Sequence, residues 1–273
     1  MADTDLTHAD WLPRVPELLD VCREQWELRL GEPYAPGAAG CAVRAELLDG
    51  TPAVLKLIDP HREAEQEADA LERWDGDGAV KLLARDDERW AMLIERCEPG
   101  TFLCARPADE ALGVLIGLLP RLWKPAHGFR PLAEEAETWT KTIERDVRDR
   151  RLREAALHYL RELAPTQGEQ VLVHQDLHGE NVLAAQREPW LVVDPKPPAA
   201  EREFAAAPIV RSFQLGHGKR DVLYRLGRLT AELGLDRGRA RGWTVAQTVA
   251  WSGGSDYVDV HIETVWWLLE DAP

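Results

Sequence analysis

The sequence predicts an α+β chain in two parts, and three observations carry that expectation. Apolar and polar residues alternate along short runs before Cys97, the period of half-buried strands. Pro99 and Gly100 then break the pattern in the run CEPG. From Asp109 onward apolar residues recur every three or four positions, the period of helices. The expected organisation is a first part over residues 1–97, a hinge near 95–100 and a second part over 98–273.

In the first part, Trp11, Val15, Leu18, Leu19 and Cys22 share one helical face, which predicts a packing helix from about Asp10 to Arg23. Trp26, Leu28 and Leu30 alternate with charged residues and predict a strand. The run GEPYAPGAAG follows, with Gly31, Gly37 and Gly40; such a loop either serves as a plain turn or lays backbone amides over phosphate groups. CAVRAELL and TPAVLKLI form a hairpin about the Asp49-Gly50 turn, which puts Lys56 in a strand between apolar neighbours. A lysine there is either outward-facing or a phosphate-binding group. PHREAEQEADALERW reads as a helix with proline near its start and acidic early turns, so Glu63, Glu65 and Glu67 are candidate partners for Lys56. AVKLLARDD and RWAMLIER complete a small antiparallel sheet.

In the second part, EALGVLIGLLPRLW predicts an apolar helix interrupted near Pro120, and residues 133–163 predict one or two amphipathic helices closed by PTQGEQ. Further helices are expected over Glu203–Leu215, Lys219–Leu233, Arg237–Trp251 and Val258–Leu269, with Asp236 as the cap of the third.

The densest chemistry lies in VLVHQDLHGENVLAAQREPWLVVDPKP, residues 171–197. Two short apolar strands deliver Asp176, Asn181 and Asp194 to one pocket. One carboxylate for an attacking hydroxyl plus two oxygen ligands for magnesium suits phosphoryl transfer, and D-x-x-x-x-N matches a kinase catalytic loop. His174, Asp176 and His178 alternate, so an extended strand would place them on one face as a transition-metal site; alternatively the histidines are hydrogen-bonded scaffold. Lys196 is placed either to contact the γ-phosphate or substrate, or to make a surface salt bridge. Arg211 and Arg220 meet an anionic group or form structural ion pairs.

With 45% hydrophobic and 30% charged residues the chain is globular, and its net charge of −15 argues against nucleic-acid or anionic-membrane partners. A small cationic molecule suits that charge better. No apolar run approaches membrane-helix length, MADTDLTHAD does not resemble a signal peptide, and Cys22, Cys41, Cys97 and Cys104 lack zinc-like spacing. A cytoplasmic protein with reduced thiols is expected. The sequence leaves the oligomeric state open.

HQDLHGEN resembles the H-G-D-x-H-x-x-N motif of the aminoglycoside phosphotransferases, which share the protein-kinase fold. NVLAAQREPW with DPKP is similar to the branch containing streptomycin 6-phosphotransferases and hydroxyurea phosphotransferases, and TPAVLKL, WAMLIERCEPG and LDRGRARGWT extend the resemblance over most of the chain. The resemblance implies a bilobal kinase-like fold, with a small antiparallel-sheet N-lobe and a larger, mainly helical C-lobe. It implies transfer of the γ-phosphate of ATP, with Mg2+, to a hydroxyl of an aminoglycoside or aminocyclitol such as streptomycin. A sugar, amino sugar or other hydroxylated metabolite is the alternative acceptor, and a non-catalytic nucleotide-binding protein the second alternative.

On this resemblance Lys56 orients the phosphates and Glu67, with Glu63 second, holds Lys56; Gly37 and Gly40 cover the phosphates, and Glu95, Arg96 and Cys97 meet the adenine. Asp176 positions the hydroxyl, while Asn181 and Asp194 carry magnesium. Lys196, Glu203, Trp251, Asp256 and His261 are the substrate candidates, with Asp259, Glu263 and Trp266 near them. Gln175 replaces the family's usual glycine, and Ala205 stands where a second aspartate is expected, with Glu201 and Glu203 close by.

Overall fold

The computed structural model describes residues 8–35, 40–253 and 258–271. The chain divides into two compact units, Met1–Thr101 with Leu183–Asp194, and Phe102–Val182 with Pro195–Pro273. The first division thus falls at 101/102, past the expected hinge, and the first unit takes back a second segment. Backbone hydrogen bonds explain the return: Ala184 exchanges bonds with Gly100 and Thr101, and Val192 exchanges them with Gly78 and Val80.

The first unit opens with α1 (His8–Trp11), a 3-10 turn and α2 (Val15–Gln25), followed by strands β1 (Arg29–Pro33), β2 (Gly40–Glu46) and β3 (Pro52–Ile58). Helix α3 (Glu67–Trp74) precedes β4 (Leu82–Asp86) and β5 (Ala91–Glu95). These strands form one antiparallel sheet in the order β1-β2-β3-β5-β4. On β3 the period of two turns Ala53, Leu55 and Leu57 into a core with Trp11, Cys22 and Leu28, and leaves Lys56 on the opposite face.

Two expected boundaries move. Trp26 closes α2 through its N–H to the Cys22 carbonyl, and Glu27 adopts φ +51, so the strand expected from Trp26 begins only at Arg29. The helix expected from Pro60 starts instead as a 3-10 turn over Arg62–Ala64. Gln66 then leaves helical geometry, and α3 begins at Glu67.

The second unit contains α4 (Ala108–Leu122), α5 (Leu132–Asp146), α6 (Arg150–Leu163) and β6 (Gln170–Leu172). Helix α4 continues past Pro120, contrary to the expected interruption. Its buried Leu112, Leu115, Ile116, Leu118, Leu119 and Leu122 are worth about 1.5–3 kcal/mol each, more in sum than the roughly 3 kcal/mol an internal proline costs. The chain then forms the hairpin β7 (Val182–Ala184) and β8 (Trp190–Val192), whose residues from Leu183 on belong to the first unit.

Strand β9 (Ala199–Glu201) returns to the second unit and pairs antiparallel with β6. Two 3-10 turns flank α7 (Ala207–Arg211), where a single longer helix was expected; Ser212, at ψ 105, ends α7 early. Helices α8 (Lys219–Leu233), α9 (Arg237–Ser252) and α10 (Val258–Glu270) complete the unit. Asp236 caps α9 as expected, accepting from Arg239 N–H at 2.8 Å. Helix α9 is buried along nearly its whole length and serves as the unit's axis, with Trp243 packed against Phe204 and Phe204 against Trp139. Among the described residues, no helix is long and apolar enough to cross a membrane.

One glycine shows how tightly the loop after β6 is packed. A Cβ on Gly179 would lie 2.8 Å from Cys104 Cβ and 2.9 Å from Cys104 N. Gly179→Ala is therefore expected to lose about 1–3 kcal/mol through overpacking. Gly113, in α4 with no atom near its virtual Cβ, should gain about 0.5–1 kcal/mol from the same change. Thermal unfolding of the two variants checks this, and equal melting temperatures would contradict the packing.

Candidate active site

In the first unit the sheet and α3 bring together a part-buried cation and two carboxylates. Lys56, on the polar face of β3, places its Nζ 2.5 Å from Glu67 Oε1, and also ion-pairs with Asp194 Oδ1. The Glu67 side chain is only 3% exposed, whereas that of Asp194 is 46% exposed. Of the glutamates expected near Lys56, Glu67 is the one it meets, because α3 starts a fresh helical phase there. Burial pulls the Lys56 pKa down, but Glu67 and Asp194 outweigh it and hold the ammonium well above the usual lysine value.

Asp194 reaches Lys56 from 138 residues away because the β7–β8 hairpin is fastened to the sheet. Arg187, in the hairpin turn, donates to both oxygens of Glu95 from Nε, at 2.8 and 3.1 Å. It also donates to the carbonyls of Gly76 and Ala79, at 2.8 and 2.9 Å. Just past that fastening, Asp194 adopts φ +55, left-handed geometry that is unusual away from glycine.

The other expected nucleotide contacts are placed individually. Gly40 opens β2, where a Cβ would fall 2.7 Å from the Leu57 carbonyl oxygen, so close strand approach requires the glycine. Gly37 lies outside the described residues. The Glu95 carboxylate is engaged by Arg187 and the Lys81 N–H. Arg96 pairs with Glu98 at 2.6 Å. Cys97 is buried, and burial, with Glu95 beside it, pushes its thiol up to about 12, so it is neutral at pH 7.

The second unit clasps Asp176 between two cations. Lys196 Nζ lies 2.7 Å from Oδ2 and Arg211 Nη2 lies 3.0 Å from Oδ1. Burial would raise the Asp176 pKa, but Lys196 and Arg211, with His178, outweigh it and hold the carboxyl below its usual range. Both cations also lie over the Trp251 ring, Arg211 at 4.5 Å and Lys196 at 5.7 Å. Of the two alternatives considered for Arg211, the structure shows the ion pair within the protein, with Asp176 as its partner.

The loop around Asp176 is held locally. His174 Nδ1 accepts from the Asp176 N–H and His178 Nδ1 accepts from the Glu180 N–H, so both histidines act as scaffold. Among the described residues, no group of three His, Cys, Asp or Glu is placed to hold a metal ion. Asn181 donates from Nδ2 to the Asp176 carbonyl at 2.9 Å, which leaves its Oδ1 as the ligand-capable atom. The Asn181 amide oxygen and, in the first unit, the half-exposed Asp194 carboxylate are each hard oxygen donors of the kind that magnesium takes.

Of the remaining substrate candidates, His261 is half-buried; burial, then the nearby Arg211, pushes its pKa down to about 4, so it is neutral at pH 7. Glu203 does not join the Asp176 cluster and instead accepts from the Asp236 N–H where α9 begins. Glu201 is buried on Arg239 and Trp243 as structural support. Asp256 lies outside the described residues. Sequence reasoning missed two residues: Arg187, which looked like part of a turn, and Gln247, whose Nε2 donates to the Gln175 carbonyl beside Asp176 at 2.9 Å.

A family model described as aminoglycoside/hydroxyurea antibiotic resistance kinase matches residues 33–255. A streptomycin 6-kinase of Streptomyces griseus is 39% identical over 251 residues, 87% of this chain and 81% of the relative. A hydroxyurea phosphotransferase of Kitasatospora aureofaciens is 38% identical over 248 residues, 86% of this chain and 70% of the relative. Among solved structures, choline kinase LicA from Streptococcus pneumoniae superposes with a TM-score of 0.64 at 14% identity, covering 93% of this chain and 98% of that one. A thermostable mutant of aminoglycoside phosphotransferase APH(4)-Ia, in a ternary complex with AMP-PNP and hygromycin B, gives 0.62 at 16% identity, covering 94% and 95%. The fold is therefore kinase-like and α+β, and the chain belongs to the aminoglycoside/hydroxyurea antibiotic resistance kinase family.

Proposed function

We propose that this kinase transfers the γ-phosphate of ATP to a hydroxyl of an aminoglycoside or aminocyclitol such as streptomycin. The observation that carries the reading is the part-buried Lys56 ammonium held by Glu67 and Asp194, a fixed positive charge of the kind a phosphate chain requires. The named activities of the streptomycin 6-kinase relatives and the family model support the acceptor. A small hydroxylated molecule is the second acceptor reading, favoured by the hydroxyurea phosphotransferase at nearly equal identity. ATP supply and four cysteines outside any disulfide fit a cytoplasmic site of action.

In this reading Lys56 donates to the phosphate oxygens while Glu67 keeps its Nζ aimed. Asn181 and Asp194 would each offer an oxygen to Mg2+, which when bound would neutralise charge on the phosphates. Asp176 accepts the hydrogen bond of the attacking hydroxyl, orients its oxygen and takes its proton as the new oxygen–phosphorus bond forms and the bond from the γ-phosphorus to the β–γ bridging oxygen breaks, releasing ADP. With a depressed pKa it is a weak base, so its main contribution is orientation.

Two outcomes follow. Asp176→Asn should lower kcat by about 100-fold or more and leave ATP affinity within a few-fold of wild type; magnesium-dependent ADP release with streptomycin as acceptor measures the first and calorimetry the second. Full turnover by the variant would refute the role. Asp194→Ala should abolish the gain in nucleotide affinity that magnesium gives, read by calorimetry with and without the metal, and an unchanged gain would remove Asp194 from the metal site.

A further inference from the structure

Asp176 carries the chemistry in the proposed reaction, and its carboxylate is hydrogen-bonded from outside its own loop, by Lys196 and Arg211. The χ2 torsion of aspartate is broad and roughly two-fold. Lys196 is a flexible point charge and cannot select one orientation. Arg211 differs in three respects.

Its guanidinium is planar, and the side chain is only 8% exposed. It rests on Trp251, its carbon Cζ 4.5 Å from the ring centroid. Its backbone is anchored as well: the fully buried Arg225 donates from Nε and Nη2 to the carbonyl of Val210, the preceding residue, at 3.1 and 2.9 Å, and from Nη1 to the Leu215 and Gly216 carbonyls. Helix α9 then supports both partners of the pair, four residues apart. Gln247 donates to the Gln175 carbonyl and Trp251 carries the arginine.

We infer that Arg211, seated on Trp251, is a positioning residue: it sets the carboxylate plane of Asp176 and so presents Oδ2, the oxygen shared with Lys196, to the acceptor hydroxyl. This rests on Asp176 being the hydroxyl-orienting carboxylate. Arg211 touches neither nucleotide nor acceptor in this role, and it acts through geometry. An error of about 1 Å in such a group costs on the order of 100-fold in rate.

The test separates the inference from the reading beneath it. Asp176→Ala should be inactive; if it turns over, both fall. With that control inactive, Arg211→Gln should lower kcat by about 100-fold while the KM for ATP stays within about two-fold. Arg211→Lys should recover only part of the loss, because an ammonium neither stacks flat nor fixes a plane. Trp251→Leu should lower kcat in the same direction, and Trp251→Phe, which keeps a ring beneath the guanidinium, should retain most of it.

Arg211→Ala should regain activity with added guanidinium ion but not with urea, a neutral molecule of similar shape, which a purely structural role would not distinguish. Wild-type kcat in Arg211→Gln, or a loss confined to the ATP KM, would overturn the inference. Should Arg211→Gln fail to fold by circular dichroism, the Trp251 pair carries the decision: equal kcat for the leucine and phenylalanine variants would overturn it.

Discussion

The ammonium of Lys56 is the constraint on which the first unit depends. A buried lysine without a counter-charge would lose its proton or cost several kcal/mol. Glu67 and Asp194 remove that penalty, and each imposes a demand on the chain. Glu67 must be at the start of α3, where an acidic group also suits the positive end of the helix. Asp194 must return from far along the sequence, so the β7–β8 hairpin is tied to the sheet by the backbone bonds of Val192 and by Arg187. The strained φ of Asp194 persists because these contacts over-determine it. The result is a charge fixed in place before any phosphate arrives, and that preorganisation makes it effective.

The second unit solves the inverse problem. Here the buried charge is a carboxylate, and two cations offset it. Each oxygen of Asp176 accepts one bond from a cation and retains lone-pair capacity for another donor. The surroundings of the two aspartates match the different work that the proposed reaction would ask of them. Asp194 is half-exposed with one lysine beside it, as an ion ligand needs to be. Asp176 is enclosed and doubly clasped, as an orienting group needs to be.

Much of this was legible in the sequence where a local pattern encodes it. The hairpin about Asp49-Gly50, the polar face of Lys56, the D-x-x-x-x-N spacing and helices α8 to α10 all follow from periods and turn residues within one segment. What was not legible depends on distant pairing or on helical phase. Nothing in REP marks Arg187 as the partner of Glu95, 92 residues away. Arg211 meets Asp176 across 35 residues, and a lone arginine near a helix end more often forms a surface pair. Strand β9 is built from Ala199, Ala200 and Glu201, residues with weak strand preference, and exists because β6 needs a partner. In the sequence the resemblance alone favours Glu67 over Glu63; the 3-10 turn at Arg62–Ala64 that resets the phase of the helix leaves no mark in the spacing of glutamates.

Long-range and local electrostatics also point in different directions. The net charge of −15 gives the chain a negative field that draws cationic molecules from beyond contact range, within the limit of about 8 Å set by physiological salt. At Asp176 that bias is gone: one carboxylate stands against Lys196 and Arg211, and the neighbouring His261 is neutral. A polycationic acceptor therefore gains nothing from bringing a positive group to this point, and a hydroxyl is the group the clasped carboxylate receives best. The cationic groups of a streptomycin-like acceptor have to be read by other surfaces of the molecule. Attraction and orientation are thus supplied by different charges.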